Sequence, residues 1–117
     1  MRKEAVNNMT KFYQLFLLLT FTMHLFGSMW VYIGRDNPVE GWVQTKRDLL
    51  GESEGMDVDN FTVYIASIYW VMTTFTTVGY GDISGNTELE YFYQMIVEII
   101  GIGFFAYLMG NINSLIV

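Results

Sequence analysis

Polar and apolar positions divide this chain into blocks. After a polar opening, MRKEAVNNMTK (1–11), the run FYQLFLLLTFTMHLFGSMWVYIG (12–34) is apolar, with His24 its one ionisable group besides tyrosines. An acid-rich stretch follows over 35–60. FTVYIASIYWVMTTF (61–75) is apolar almost all round, and TTVGYGD (76–82) and the residues up to 90 are polar and glycine-bearing. The last block, YFYQMIVEIIGIGFFAYLMGNINSLIV (91–117), is apolar with Glu98 as its only formal charge. A helix needs roughly 20 apolar residues to cross the hydrocarbon core of a bilayer. Blocks 12–34 and 91–117 meet that length, and each predicts a transmembrane helix. Block 61–75 would extend only ~22 Å as a helix, so it predicts a re-entrant helix that enters the membrane and ends inside it. Asn60 or Thr62 is its expected cap. The pattern predicts an all-α membrane fold: arm or linker (1–11), outer helix (12–34), loop (35–60), half-helix (61–75), extended loop (76–82) and inner helix (91–117).

With 117 residues the chain has room for one domain, and its 52% apolar content exceeds what a small soluble domain can cover with polar surface. The first apolar run is too long for a signal peptide, and no small-residue cleavage site follows it. There is no cysteine, which excludes disulfides and thiolate metal sites, and a single histidine argues against a zinc site built from protein alone. The net charge of −6 is concentrated between the spans, where Asp36, Glu40, Asp48, Glu52, Glu54, Asp57 and Asp59 face Arg35, Lys46 and Arg47. Arg2, Lys3 and Lys11 balance those three bases, so the positive-inside count does not fix orientation; only their density in the short arm leans towards a cytoplasmic N-terminus. Glu52, Glu54, Asp57 and Asp59 lack the spacing of a calcium loop. They are expected to form a solvated rim whose field concentrates cations. Asn60-Phe61-Thr62 fits a glycosylation acceptor on the outer side.

The segment TTFTTVGYGD (73–82) carries the chemistry. Non-helical backbone at membrane depth is tolerated only where it is buried in protein or lines a water-filled path. Gly79 and Gly81 can take backbone angles closed to other residues. That freedom allows the carbonyls of Thr77, Val78, Gly79 and Tyr80 to turn to one side, where with the Thr77 hydroxyl they replace the water shell of a cation. TVGYG is the motif of potassium filters, which are rings of four such loops, so the match is a resemblance and the working unit it implies is a tetramer.

Over 12–117 the chain resembles the pore domain of tetrameric potassium channels. Within that superfamily it is most similar to the ether-à-go-go, plant inward-rectifier-like and cyclic-nucleotide-binding-domain group. HLFGSMWVYIG (24–34) resembles the end of that group's fifth helix, GWVQTKRDLLG (41–51) its turret, YWVMTTFTTVGYGD (69–82) the plant members' pore, and AYLMGNINSLIV (106–117) its sixth helix. The resemblance implies passive, potassium-selective permeation through a homotetramer or heterotetramer in the plasma membrane. It implies no enzymatic activity, no cofactor beyond the permeating ion and no nucleic acid. Carried onto these positions, it places K+ at Thr77, Val78, Gly79 and Tyr80, with Gly81 completing the filter. Trp70, Thr73, Thr74 and Asp82 support the filter, Trp70 through its indole N–H to the Tyr80 hydroxyl. Gly101, Gly103 and Gly110 suit close helix packing, and Gly101, ten residues before Asn111, matches the family's hinge glycine.

Departures from the family pattern bear on function. Position 73 is threonine where some potassium channels carry a glutamate, so no acid pair with Asp82 is expected. No helix with Arg at every third position and no ligand-binding domain is present, and the end at Val117 reads as a pore domain excised from a larger gated channel. Two rivals stay open: a weakly selective cation pore, against which the intact TVGYGD argues, and a non-conducting regulatory partner subunit. A transporter of pore-loop repeats would need four filters in one chain. Antiparallel spans would put His24 and Glu98 at similar depths, and ionisable groups in a membrane face the protein interior and find partners. Glu98 is therefore expected to bond within the bundle, to His24 or to the Thr73 and Thr74 hydroxyls. Tyr91, Phe92, Phe104, Phe105 and Tyr107 are expected to serve packing.

Overall fold

The structure, a computed structural model, describes residues 2–37, 39–46 and 59–116, with side chains up to Ser114. Glu52, Glu54 and Asp57 of the expected acidic rim, and residues 47–51 of the turret-like match at 41–51, lie outside the described residues. Among the described residues four helices follow in order: α1 (Arg2–Asp36), α2 (Trp42–Thr45), α3 (Asn60–Phe75) and α4 (Glu88–Ile116). α1 and α4 are the two long and apolar enough to cross a membrane. At 16 residues α3 is about 24 Å long, short of the hydrocarbon thickness.

The expected boundary between a polar arm and an outer helix is absent. α1 runs unbroken from Arg2, because nothing in 2–26 interrupts it: no proline and no glycine occur there. The chain leaves α1 through a turn organised by Asn37, whose side-chain oxygen accepts from the N–H groups of Val39 (3.2 Å) and Glu40 (2.9 Å). The cap of α3 is neither Asn60 nor Thr62 but Asp59, which accepts from the Thr62 N–H at 3.4 Å. Asn60 instead accepts from the Arg35 guanidinium at 2.9 Å, tying the start of α3 to the end of α1.

α3 packs against both long helices. At Gly27 α1 and α3 come close together: a Cβ there would stand 2.9 Å from Ile68 Cδ1 and 3.1 Å from Ser67 Oγ. Above this contact the three tryptophans stack. Trp30 lies parallel to Trp70 at 3.9 Å between ring centroids and to Trp42 at 5.4 Å, and Tyr93 of α4 joins the group at 6.0 Å from Trp30. Two hydrogen bonds fix the column, from the Trp42 indole to the Trp30 carbonyl (2.8 Å) and from the Tyr93 hydroxyl to the Phe26 carbonyl (2.8 Å). All four helices thus meet at one aromatic locus, extended by Val63, Val71, Phe75 and Val97.

Candidate functional site

The site begins where α3 stops. Near its end, Thr73 and Thr74 both donate their hydroxyl protons to the Trp70 carbonyl, at 3.0 and 2.7 Å. Past Phe75 the chain folds back on the helix end. The N–H of Thr76 bonds Met72 O (3.0 Å), that of Thr77 bonds Thr74 O (3.3 Å) and that of Gly79 bonds Thr73 O (3.1 Å). These bonds satisfy terminal carbonyls that a helix leaves without partners. From Thr77 onwards the sign of φ alternates: it is +62° at Thr77, +57° at Gly79 and +81° at Gly81, and not positive at Val78 and Tyr80. Alternating handedness sets successive N–H groups to one side of the strand and so the carbonyls to the other. Thr77 is a β-branched residue in the left-handed region, a strain that persists only where surrounding structure enforces it.

The side chains of this stretch are open within the single chain: Val78 is 51% and Tyr80 72% exposed. Trp70 does not reach Tyr80 within the chain. Its ring is 2% exposed and occupied by Trp30 and Tyr93. The residue of α3 that holds the loop is its neighbour Tyr69, whose hydroxyl donates to Asp82 Oδ2 at 2.9 Å. That bond holds the phenol proton and raises the Tyr69 pKa above its ordinary value. Asp82 also accepts from the Ile83 N–H through Oδ1 (3.1 Å).

The return loop is tied to α4. Gly85 N–H donates to Gln94 Oε1 (3.0 Å), and Gln94 Nε2 donates to Glu98 Oε1 (3.2 Å). Glu98 and His24 do not pair: His24 Nδ1 lies 2.7 Å from the Tyr64 hydroxyl. Both are exposed in the single chain. The reason is rotational, because Glu98 lies on the face of α4 that meets the loop after α3, while His24 meets α3 one turn before Ile68. A cavity of about 340 Å³ gathers Thr73, Thr74, Thr77, Gly79, Gln94 and Glu98.

One further expectation meets a different geometry. α4 continues as a helix through Gly101, and what the glycine provides is contact: a Cβ would stand 2.8 Å from Phe75 Cδ1 and 3.3 Å from Phe75 Cα. At Gly79 a Cβ would meet nothing within 4 Å, so within the chain the demand for glycine is one of backbone angle and not of space.

Glu90 escaped the sequence reading. It is fully buried, and its carboxylate accepts from the N–H groups of Trp42 (2.8 Å), Asn86 (2.9 Å) and Thr87 (3.2 Å). Its own N–H bonds Thr87 Oγ1 (3.2 Å), which completes a capping box at the start of α4. The pattern Thr87-x-x-Glu90 ahead of an apolar run was the signal that announced it.

The whole of this architecture falls within one known family. Residues 3–117 match the family described as Ion transport protein, and the chain belongs to it. With its two membrane-length helices it is a membrane protein of a channel family, not an enzyme. It is 32% identical over 111 residues to potassium channel AKT2/3 of Arabidopsis thaliana, covering 90% of this chain and 13% of that protein. It is 33% identical over 81 residues to potassium channel KAT1 of Oryza sativa subsp. japonica (69% and 11%), and 35% over 82 residues to potassium channel AKT1 of Arabidopsis thaliana (69% and 9%). The chain therefore spans 13% or less of the length of these relatives.

Proposed function

We propose that the chain forms the pore of a potassium-selective channel in the plasma membrane, four copies enclosing one path, as the pore part of a larger gated protein. Residues 77–81 are its filter, with K+ held by the carbonyls of Thr77, Val78, Gly79 and Tyr80 and by the Thr77 hydroxyl. The observation that carries this reading is the alternation of φ over 77–81, which suits a row of inward carbonyls and nothing a packed core needs. Its position supports the same reading. The stretch follows the C-terminal, negative end of α3, where cations are favoured, and lies between two helices of spanning length. The Tyr69–Asp82 bond and the Gly79 N–H bond to α3 hold the row from behind, against the strain at Thr77. The potassium-channel names of the relatives support potassium as the ion. In this reading Tyr80 and Val78, exposed in one chain, are covered by the next copy around the axis, and Trp70 acts on the filter by fixing α3 against Trp30.

Purified protein in liposomes tests the proposal. Potassium is expected to move down its gradient while sodium is held back, from particles of four chains. Equal passage of both ions would support a weakly selective cation pore. Flux that appears only on mixing with a related subunit would support a regulatory partner.

A further inference from the structure

The cavity beside residues 77–81 is lined in part by hydroxyls that can only accept. Thr73 and Thr74 commit their hydroxyl protons to Trp70 O, and Thr77 commits its own to Thr76 O at 2.6 Å. A hydroxyl has one proton and two lone pairs, so these three groups present lone pairs to the cavity. Glu98 adds a carboxylate whose position is set through Gln94 by the backbone of Gly85. Its Oε1 accepts from Gln94, and its Oε2 has no hydrogen-bond partner among the described residues. Among the described residues Glu98 is the one charged residue lining the cavity, and no Lys, Arg or His of theirs lines it. A carboxylate at membrane depth is costly to leave without a counter-charge.

We propose that Glu98, with the hydroxyl oxygens of Thr73 and Thr74, forms a cation site beside the filter row, which takes a hard, partly hydrated divalent cation. An all-oxygen donor set selects hard ions over soft ones. A single carboxylate with neutral oxygens leaves coordination positions to water, and about 340 Å³ holds an ion with several waters, each taking roughly 30 Å³. An ion there sits beside Thr77, adds positive charge next to the innermost filter oxygens and lowers the entry of permeating cations. Binding needs only the single chain; the effect on flux rests on the pore reading above.

Terbium is a suitable probe, because Trp70 lines the same cavity and sensitises its emission. The full chain in lipid nanodiscs is titrated with Tb3+ under tryptophan excitation, then with MgCl2 as competitor. Sensitised emission that Mg2+ displaces is expected in the wild type and lost in Glu98→Gln. Thr73→Val is expected to weaken the emission, which separates loss of a donor oxygen from a general fault in Glu98→Gln. In liposomes, Glu98→Gln should still pass potassium, with inhibition by Mg2+ at least about tenfold weaker, as ligand charge count governs such affinities. Unchanged displaceable emission and unchanged Mg2+ inhibition in Glu98→Gln would overturn the site. So would absence of sensitised emission in the wild type, the outcome expected if a second copy fills the cavity. A wild type that passes no potassium would instead sink the pore reading, with the Tb3+ titration still decisive for the site.

Discussion

Single residues in 77–82 are held by backbone angle and by side-chain hydrogen bonds, and each can be tested alone. Gly79 stands at φ +57° with open space where a Cβ would go. Gly79→Ala therefore costs about 1–2 kcal/mol of left-handed strain, or turns the peptide to escape it. We expect conduction or selectivity to fail while the particle keeps its size on gel filtration. Tetramers that still prefer potassium to sodium with alanine there would show that the stretch is not the selectivity element. Tyr69→Phe removes the bond to Asp82 without changing the ring. Potassium flux should then decline faster under sustained load, with assembly unaltered, whereas Trp70→Phe should act through the aromatic column and lower thermal stability as well. Flux from Tyr69→Phe that persists like the wild type would remove Tyr69 from the filter's support. The motif itself was legible in the letters TVGYGD, but the choice between Tyr69 and Trp70 was not. Adjacent helix positions point about 100° apart, and which of them meets the loop depends on Trp30 of α1 claiming Trp70, a contact 40 residues away in the chain.

Helices α3 and α4 are coupled at Gly101, where the notch in α4 receives Phe75, two residues before Thr77. Gly101→Ala overpacks this contact, at a cost of about 1–3 kcal/mol. The change should destabilise the assembled protein and alter flux, and Gly101→Ala with Phe75→Leu should recover both. A double variant no better than the single one would return Gly101 to the role of a bend. The sequence showed the glycine and its family position, but a notch and a hinge share the same letter until the facing ring is known. Glu90 works on the same scale, joining α2, the return loop and α4. Glu90→Ala removes the acceptor of three N–H groups, of which the buried one on Trp42 is left without a partner at a cost of ~1–3 kcal/mol. A clearly lower melting temperature in detergent is expected, partly restored by Glu90→Gln; an unchanged melting curve would count against the capping role. Helix cores were readable because apolar length is a property of the chain alone. Their ends were not: Asp59 rather than Asn60 caps α3, and α1 starts at Arg2, because ends depend on single bonds and on the absence of an interruption.

At the scale of the whole molecule, the order of two long helices around a short one was legible from block lengths, while what faces what was not. Tyr80 and Val78 remain uncovered in one chain, and chromatography with light scattering is expected to return four times the 13.5 kDa chain once detergent is subtracted. A monomer that conducts would refute the enclosed path. The unbroken first helix has a mechanical consequence. Its 35 residues make a rod of about 52 Å, against a hydrocarbon core of about 30 Å, with no proline in it. A push or pull near Arg2 is not absorbed at a joint around residue 11. It tilts a stiff lever whose far end carries Trp30, so force applied near Arg2 arrives as torque on α3, against whose Trp70 that ring is stacked.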